Sequence, residues 1–596
     1  MRDFTGTRFR HVFIVESRAW FDQCRAQFDP ALDLVLTNDF GLKREIETIG
    51  GAAEFLDHLV DPVVMEENNS KVYAFFRDWH KDSTGRDLFE YRGVPFGFSF
   101  RIDFWNDLVY QARTWLCLQV VQSLRADVVY AGTALGIVER ILTQMEIAFV
   151  AIPAPADQRR PVYAFPIHAW TAKFIRHAGW RARVLELATL LVAFTWTVCD
   201  RLVPRSRRRP LVFVHTYTPT QGVVTRLMAE QRVRVMGLSV TRQSPWLRYV
   251  PQWRPVAWYE EEATRQMAEF RTRRVARLVL TTGRDITDDT YAVIESRVEP
   301  RVAPSLRTLD SVVRYLDRHP LALAVLISNI GEFVAVLDCV CRARGIPTYL
   351  IINGLLGPTY LDEGKYATVI NAYSRSIQQH YFRGMDNTIA LGDPRMDAYP
   401  PVPRKPWPTE GPGVVVIGAS GHNNIDLNSY VAVEFDFLHD VLRALAAFRA
   451  AGASITIVIK VRPNGYLAQY RQFADEYFPG LVDEIVDAVP MRQVLARANF
   501  FVSIYSQTLF EASCMGVPCA YYRKDNEVQP PPFDGRSALV ILDSVEALVE
   551  ALGDARAGGD RWDGFLNRAV MEEFVGPLDG KNLQRNLAQV YEMSLR

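Results

Sequence analysis

The sequence predicts an α/β protein built from doubly wound parallel sheets, and three observations carry that reading. Short apolar runs bounded by small polar turns alternate with helix-period segments from end to end, the signature of successive βαβ units. At 596 residues the chain is longer than one hydrophobic core serves, so roughly two to four domains are expected. Hydrophobic residues make up 49% and charged residues 23%, which excludes a disordered or fibrous chain.

The charged start, MRDFTGTRFRHVFIVES, runs directly into a strand and does not read as a signal peptide. Strands are expected at 11–16 (HVFIVE), 32–37 (LDLVLT), 126–132 (ADVVYAG) and 147–151. A long aromatic-rich insert, including FFRDWHKDSTGRDLFEYRGVPFGFSF, separates the second strand from the third. The most apolar segment, Leu187 to Cys199 (LATLLVAFTWTVC), has 13 residues and is too short to span a bilayer. RLVPRSRRRP follows it, with five arginines between Arg201 and Arg209. Two readings stay open: a peripheral membrane contact through 187–209, or a core helix followed by a solvated basic loop.

The pattern restarts with strands at 211–217, 234–240, 323–329, 348–353, 368–373 and 388–393. Residues 399–413, YPPVPRKPWPTEGPG, hold six prolines, which fix the backbone and remove amide donors; this stretch reads as a semi-rigid linker. Beyond it come strands at 414–420, 456–461, 499–505, 519–522 and 539–542, then a helix pattern over about 580–596.

Charge and cysteine usage limit the partners. Lys+Arg and Asp+Glu both number 68, so no global field draws in nucleic acid, and none is expected as a partner. Seven dispersed cysteines suit reduced thiols in the cytoplasm. His80 between Asp78 and Asp82 matches no established ligand spacing, so no metal is expected; no cofactor is expected either.

Ligands of open parallel sheets bind beyond the carboxyl ends of the strands. In the last third of the chain four strand ends carry suggestive residues. They are Gly418-Ala419-Ser420-Gly421-His422 with two asparagines after it, Lys460-Val461-Arg462-Pro463-Asn464, the run Asp487 to Met491, and Ser503 with Ser506, Gln507, Thr508 and Glu511. Hydroxyls and amides at a helix start can hold an anion, and a carboxylate one turn in suits a ribose diol. Ser506 as a plain helix cap and Glu511 as a dipole partner would leave the same residues. Glu139 and Glu332 recur at the same place in two other strand–turn–helix–strand passages, an echo that doubly wound units produce by themselves.

The order VIKVRPNG … EIVDAVPMRQVLARANFFVSIYSQTLFEASCMGVPCAYY resembles the donor-binding half of GT-B glycosyltransferases. The nearest groups are CDP-glycerol glycerophosphotransferases and the Kdo and sialic acid transferases of bacterial surface polysaccharides. ISNIGEFVAVLDCVCRARGIPTYLIINGLL, followed by ALGDPRMDAY, is similar to the end of their N-terminal domain, and 1–210 more loosely resembles surface carbohydrate biosynthesis proteins. The resemblance implies GT-B architecture: two Rossmann-like doubly wound domains facing across a cleft, with an enlarged N-terminal part. Its divisions are 1–210, an acceptor-side domain at 211–398, the linker 399–413, and a donor-binding domain at 414–596.

It further implies a nucleotide-activated sugar bound by Gly418, Ser420, Gly421, His422, Lys460, Arg462, Pro463, Asn464, Met491, Ser503, Ser506, Gln507, Thr508 and Glu511. Asn353, Gly354, Gly392 and Arg395 would line the cleft and hinge, with Asp397 shaping the hinge. The implied reaction is metal-independent transfer from a CMP- or CDP-activated donor, such as CMP-Kdo, to a glycan or glycolipid acceptor. That would place the protein in the cytoplasm or at the inner face of its membrane. Glu332, Asp78 and Asp82 are the candidate bases. Two departures bear on catalysis: Arg462 and Asn353 stand where the family has histidine. Arginine can still fork onto phosphate. The rivals are a UDP-sugar 2-epimerase of the same fold and a non-catalytic nucleotide- or glycan-binding scaffold.

Overall fold

The computed structural model describes residues 4, 8–133, 136–155, 180–204, 208–238, 246–327, 331–354, 367–419, 433–463, 467–524 and 531–595. Among the described residues three sheets of five or six strands, every neighbouring pair in them parallel, follow one another along the chain. Strands covered on both faces read as near-continuous apolar runs with no exposed position. Leu34–Thr37, Leu211–Val214, Thr348–Ile351, Phe500–Ser503 and Cys519–Tyr522 are accordingly buried at every residue.

The first sheet runs Ala52–Phe55, Leu34–Thr37, His11–Val15, Val128–Gly132, Phe149–Ala151. Its edge strand Ala52–Phe55 was not expected, because AAEF is too short and too polar to read as an apolar run. The middle sheet runs Thr388–Ile389, Val369–Asn371, Thr348–Ile351, Leu321–Leu326, Leu211–Val214, Arg234–Met236. The last runs Glu484–Val486, Ile455–Val461, Gly413–Ala419, Phe500–Ser503, Cys519–Tyr522, Val540–Leu542. The last two are the expected pair of Rossmann-like sheets, and the N-terminal part adds a third sheet of its own.

The aromatic insert folds as helices Pro62–Asp78 and Arg101–Ser123 around a short ribbon, Glu90–Tyr91 with Val94–Pro95. Its rings join the first unit to the second: Trp79 meets Phe270 at 5.5 Å, and Phe75 meets Tyr291 at 5.5 Å. One hydrophobic core therefore runs from Val12 and Phe104 through to Val325 and Tyr349. Phe40 reaches the other way, into the core of the last unit, against Phe473 and Tyr477.

The proline-rich stretch lies strapped along the last unit. Val402 and Lys405 donate backbone hydrogen bonds to the carbonyls of Cys514 and Gly516, and Lys405 Nζ reaches the carbonyls of Leu495 and Ala496. The final helix, Asn582–Ser594, packs on the middle sheet rather than on the unit that precedes it in sequence. Asn586 Oδ1 accepts from the Tyr349 hydroxyl at 2.6 Å and from Asn371 at 2.8 Å, and Tyr591 donates to Glu230 at 2.6 Å.

Candidate functional site

The last sheet reverses its strand order between Gly413–Ala419 and Phe500–Ser503, and the middle sheet between Leu211–Val214 and Leu321–Leu326. Such switch points open a crevice at the carboxyl ends of the strands. The two carboxyl edges face each other. Gly354, three residues past Thr348–Ile351, lies against Gln507, which follows Phe500–Ser503.

Gln507 is the link. Its amide donates to Asp393 at 2.6 Å, and its carbonyl accepts from Arg395 at 2.8 Å. Arg395 closes the ring on Asp393 with contacts of 3.0 and 2.7 Å. Burial pulls the Arg395 charge down, but Asp393 outweighs it and holds the guanidinium above its ordinary pKa. Gly354 has φ +97, and a Cβ there would stand 2.7 Å from Gln507 Oε1. Gly392, with φ +82, is equally confined: a Cβ would meet the Asn582 side chain. Asp397 accepts from the amides of Asn582 and Leu583 at 2.9 and 2.8 Å, so its carboxylate caps the last helix.

On the last unit the four strand-end turns are neighbours. Gly418 pairs with Ser503 in register, and Ser503 Oγ donates to the Gly418 carbonyl at 2.8 Å. The Arg462 amide donates to Ala419 at 3.2 Å, while Lys460 Nζ donates to the carbonyls of Val461 and Asp487 at 2.8 and 2.6 Å. Lys460 is thus a buried tie between turns. Burial lowers its pKa, with Asp487 opposing the shift. Arg462 and Pro463 are exposed at the rim, and Met491 opens helix Met491–Arg497 half-buried. Ser420, Gly421, His422 and Asn464 lie outside the described residues.

Ser506 and Thr508 sit half-buried with hydroxyls 2.7 Å apart, and Ser506 Oγ also accepts from the Thr508 amide at 3.2 Å. Glu511 lies one turn on in helix Thr508–Cys514. Burial raises its carboxyl pKa; the Tyr399 hydroxyl and Arg395 oppose the rise, and Asp393 adds to it. Tyr399 and Arg395 therefore reach Glu511 from the hinge, and neither partner was foreseeable from the local motif.

On the facing edge, Glu332 opens helix Glu332–Arg344. Its two oxygens take Arg301 at 2.6 Å and the Thr308 hydroxyl at 2.7 Å. Arg301 also stands 3.3 Å from Asp103 of the aromatic insert. Burial pushes Asp103 up to about 6; Arg301 opposes this and Glu332 adds to it. Two carboxyls share one guanidinium here, and nothing in RIDFWND marks Asp103 beforehand. Asn353 follows the neighbouring strand, half-buried. Glu139, the third glutamate of the echo, accepts from the Thr133 amide and hydroxyl at 2.7 Å each.

The insert's own acids have other partners. Asp78 pairs with Lys81 at 2.7 Å on the surface, at the end of helix Pro62–Asp78. Asp82 is buried, accepting from Thr84 and Arg86 and pairing with Arg273 at 2.6 Å. His80 lies 3.2 Å from Asp87.

No protein-family model matches the chain, and no curated protein matches its sequence. Among solved structures, its course is similar to that of UDP-GlcNAc 2-epimerase from Neisseria meningitidis bound to UDP-GlcNAc (11% identity over 64% of this chain and 100% of that one, TM-score 0.39). It is also similar to the Methanocaldococcus jannaschii UDP-GlcNAc 2-epimerase in complex with UDP-GlcNAc and UDP (10% identity, 64% and 99%, TM-score 0.37). A glycosyltransferase from Rickettsia africae is a third such structure (9% identity, 65% and 98%, TM-score 0.38). Likeness at this level assigns no reaction.

Proposed function

We propose that this protein is a glycosyltransferase that moves a sugar from a nucleotide donor to a glycan hydroxyl in the cleft between the two Rossmann-like sheets. The observation that carries the reading is the meeting of two strand-end edges of different character. One side offers the Ser506 and Thr508 hydroxyls and the exposed Arg462 guanidinium. The other offers a glutamate and an aspartate sharing an arginine.

On the donor side, Arg462 would balance the charge growing on the departing phosphate. Ser506 and Thr508 would contact the phosphates, and Glu511 the ribose. On the acceptor side, Glu332 would take the proton of the attacking hydroxyl. Arg301 holds its carboxylate in place. The donor would be a cytidine-activated one such as CMP-Kdo, a choice that rests on the resemblance to surface-polysaccharide transferases alone, with a glycan or glycolipid as acceptor.

A thermal-shift series with CMP, CDP, UDP and GDP tests the reading, followed by release of sugar from the activated form of the nucleotide that binds. We expect stabilisation by one nucleotide. Arg462→Ala should weaken it about tenfold or more, as loss of a charged hydrogen bond does. Stabilisation by none of the four would sink the proposal. A second reading, sugar 2-epimerisation, draws support from the Glu332–Asp103 pair, since proton exchange at carbon needs two acid/base groups. Deuterium uptake from heavy water into the sugar would favour it; transfer without uptake would favour the transferase.

A further inference from the structure

Helix Trp180–Leu202 lies on the body of the protein by one face only. Ala193 and Asp200, seven residues apart, are buried. Asp200 pairs with Arg234 at 3.1 Å and Arg248 at 3.2 Å, and Arg248 lies 4.0 Å over the Trp196 ring. The opposite face carries Val184, Leu187, Leu191, Phe194, Val198 and Leu202, spaced by three and four residues and all exposed, Leu191 at 69% and Leu202 at 79%. Positions so spaced share one face of a helix. Trp246, also exposed, meets Trp196 at 6.4 Å and widens the apolar surface. A continuous apolar face of this extent in water marks a contact surface.

We infer that this face lies in the interface of an anionic lipid bilayer, with the helix parallel to the membrane plane. Among the described residues no helix is long and apolar enough to cross a membrane, so a transverse position is not open to it. Charge favours lipid over a second copy of the chain. In sequence the helix has Arg181, Arg183 and Arg201 against Glu186 and Asp200, of which Asp200 is buried and paired, and Arg208 and Arg209 follow six and seven positions after its end. Such a basic surround with Leu and Phe on one face suits anionic headgroups. A coiled coil needs spacings of three and four in strict alternation, which after Val198 falls on Arg201 and not on Leu202, and the flanks hold Ala188, Thr195 and Thr197 where cross-paired charges belong.

The segment after Trp246 leads from this face towards the cleft. Gln252 donates to Thr308, the same hydroxyl that serves Glu332, and Trp253 and Trp258 are exposed beside it. A lipid-borne acceptor would therefore arrive on the Glu332 side; that consequence alone rests on the transferase reading.

The test is flotation of the full chain with vesicles of phosphatidylglycerol and phosphatidylcholine, against vesicles of phosphatidylcholine alone. Cys199, the exposed cysteine beside the face, takes an environment-sensitive dye; the other six are buried. We expect flotation and a blue shift with the anionic vesicles only. Leu191→Glu with Phe194→Glu should weaken binding more than about tenfold without changing the melting temperature. Arg208→Glu with Arg209→Glu should weaken it and remove its salt dependence; this pair decides the matter if the first variant misfolds. Absence of flotation, or equal flotation of all forms, overturns the inference. So does a dimer in light scattering that Leu191→Glu with Phe194→Glu dissolves. Nucleotide binding enters none of these readouts.

Discussion

Asp103 is the residue at which acid should act on this protein. Burial lifts its carboxyl from 3.8 to about 6, so the folded chain holds that proton more tightly than the unfolded one. The stability it contributes is full below 3.8 and lost as pH rises through 6. Asp103→Asn cannot lose it, so the melting temperature of the variant relative to wild type should rise between about pH 4 and pH 7. A constant difference would remove the shift. In a transfer assay the same change should erase an ionisation near pH 6 from the pH dependence of kcat/KM, while nucleotide affinity stays unchanged. Glu332→Gln should abolish turnover and spare nucleotide binding; residual turnover within about tenfold of wild type would exclude it as the base. Of these two acids only Glu332 was legible in the sequence, because its place after an apolar strand is a local fact. Asp103 arrives from a helix over two hundred positions earlier, and long-range pairing leaves no local trace.

At the scale of elements, the ring of Asp393, Arg395 and Gln507 locks two strand-end turns from different units. Gly354→Ala should cost about 1–3 kcal/mol, since alanine is strained at φ +97 and Gln507, held by two partners, cannot swing away. Gln507→Gly would open space for the methyl, so in that background the same substitution should cost measurably less in urea denaturation. Asp397→Ala should cost about 1 kcal/mol as the last helix loses its cap. Most strands were legible from the chain because strands covered on both faces spell continuous apolar runs. Ala52–Phe55 escaped for the opposite reason, as a four-residue edge strand containing Glu54. Lys460 shows the limit at the site. Its position after a strand was plain, but not that its ammonium is spent on two carbonyls, leaving Arg462 the exposed cation of that turn.

For the whole molecule, the N-terminal sheet touches both of the others, sharing a core with the middle unit and sending Phe40 into the last one. Phe40→Ala should cost about 3 kcal/mol or more and split a joint thermal transition in calorimetry into two; a single transition would mean that the hinge contacts alone couple the units. That strand and helix alternate through three stretches of the chain was legible in its rhythm, but only the last two were expected as Rossmann-like sheets. Which unit the final helix serves was not, because Asn582 and Asn586 find their partners only once Gly392 and Tyr349 are in place. That crossing helix bears on biosynthesis. A ribosome finishes residues 211–389 long before it reaches 582–594, so the middle sheet must wait, one flank bare, through the translation of the entire last unit. Nascent chains of this length are open to aggregation at such exposed flanks, and a chaperone that shields this one should dissociate only after the final helix has left the exit tunnel.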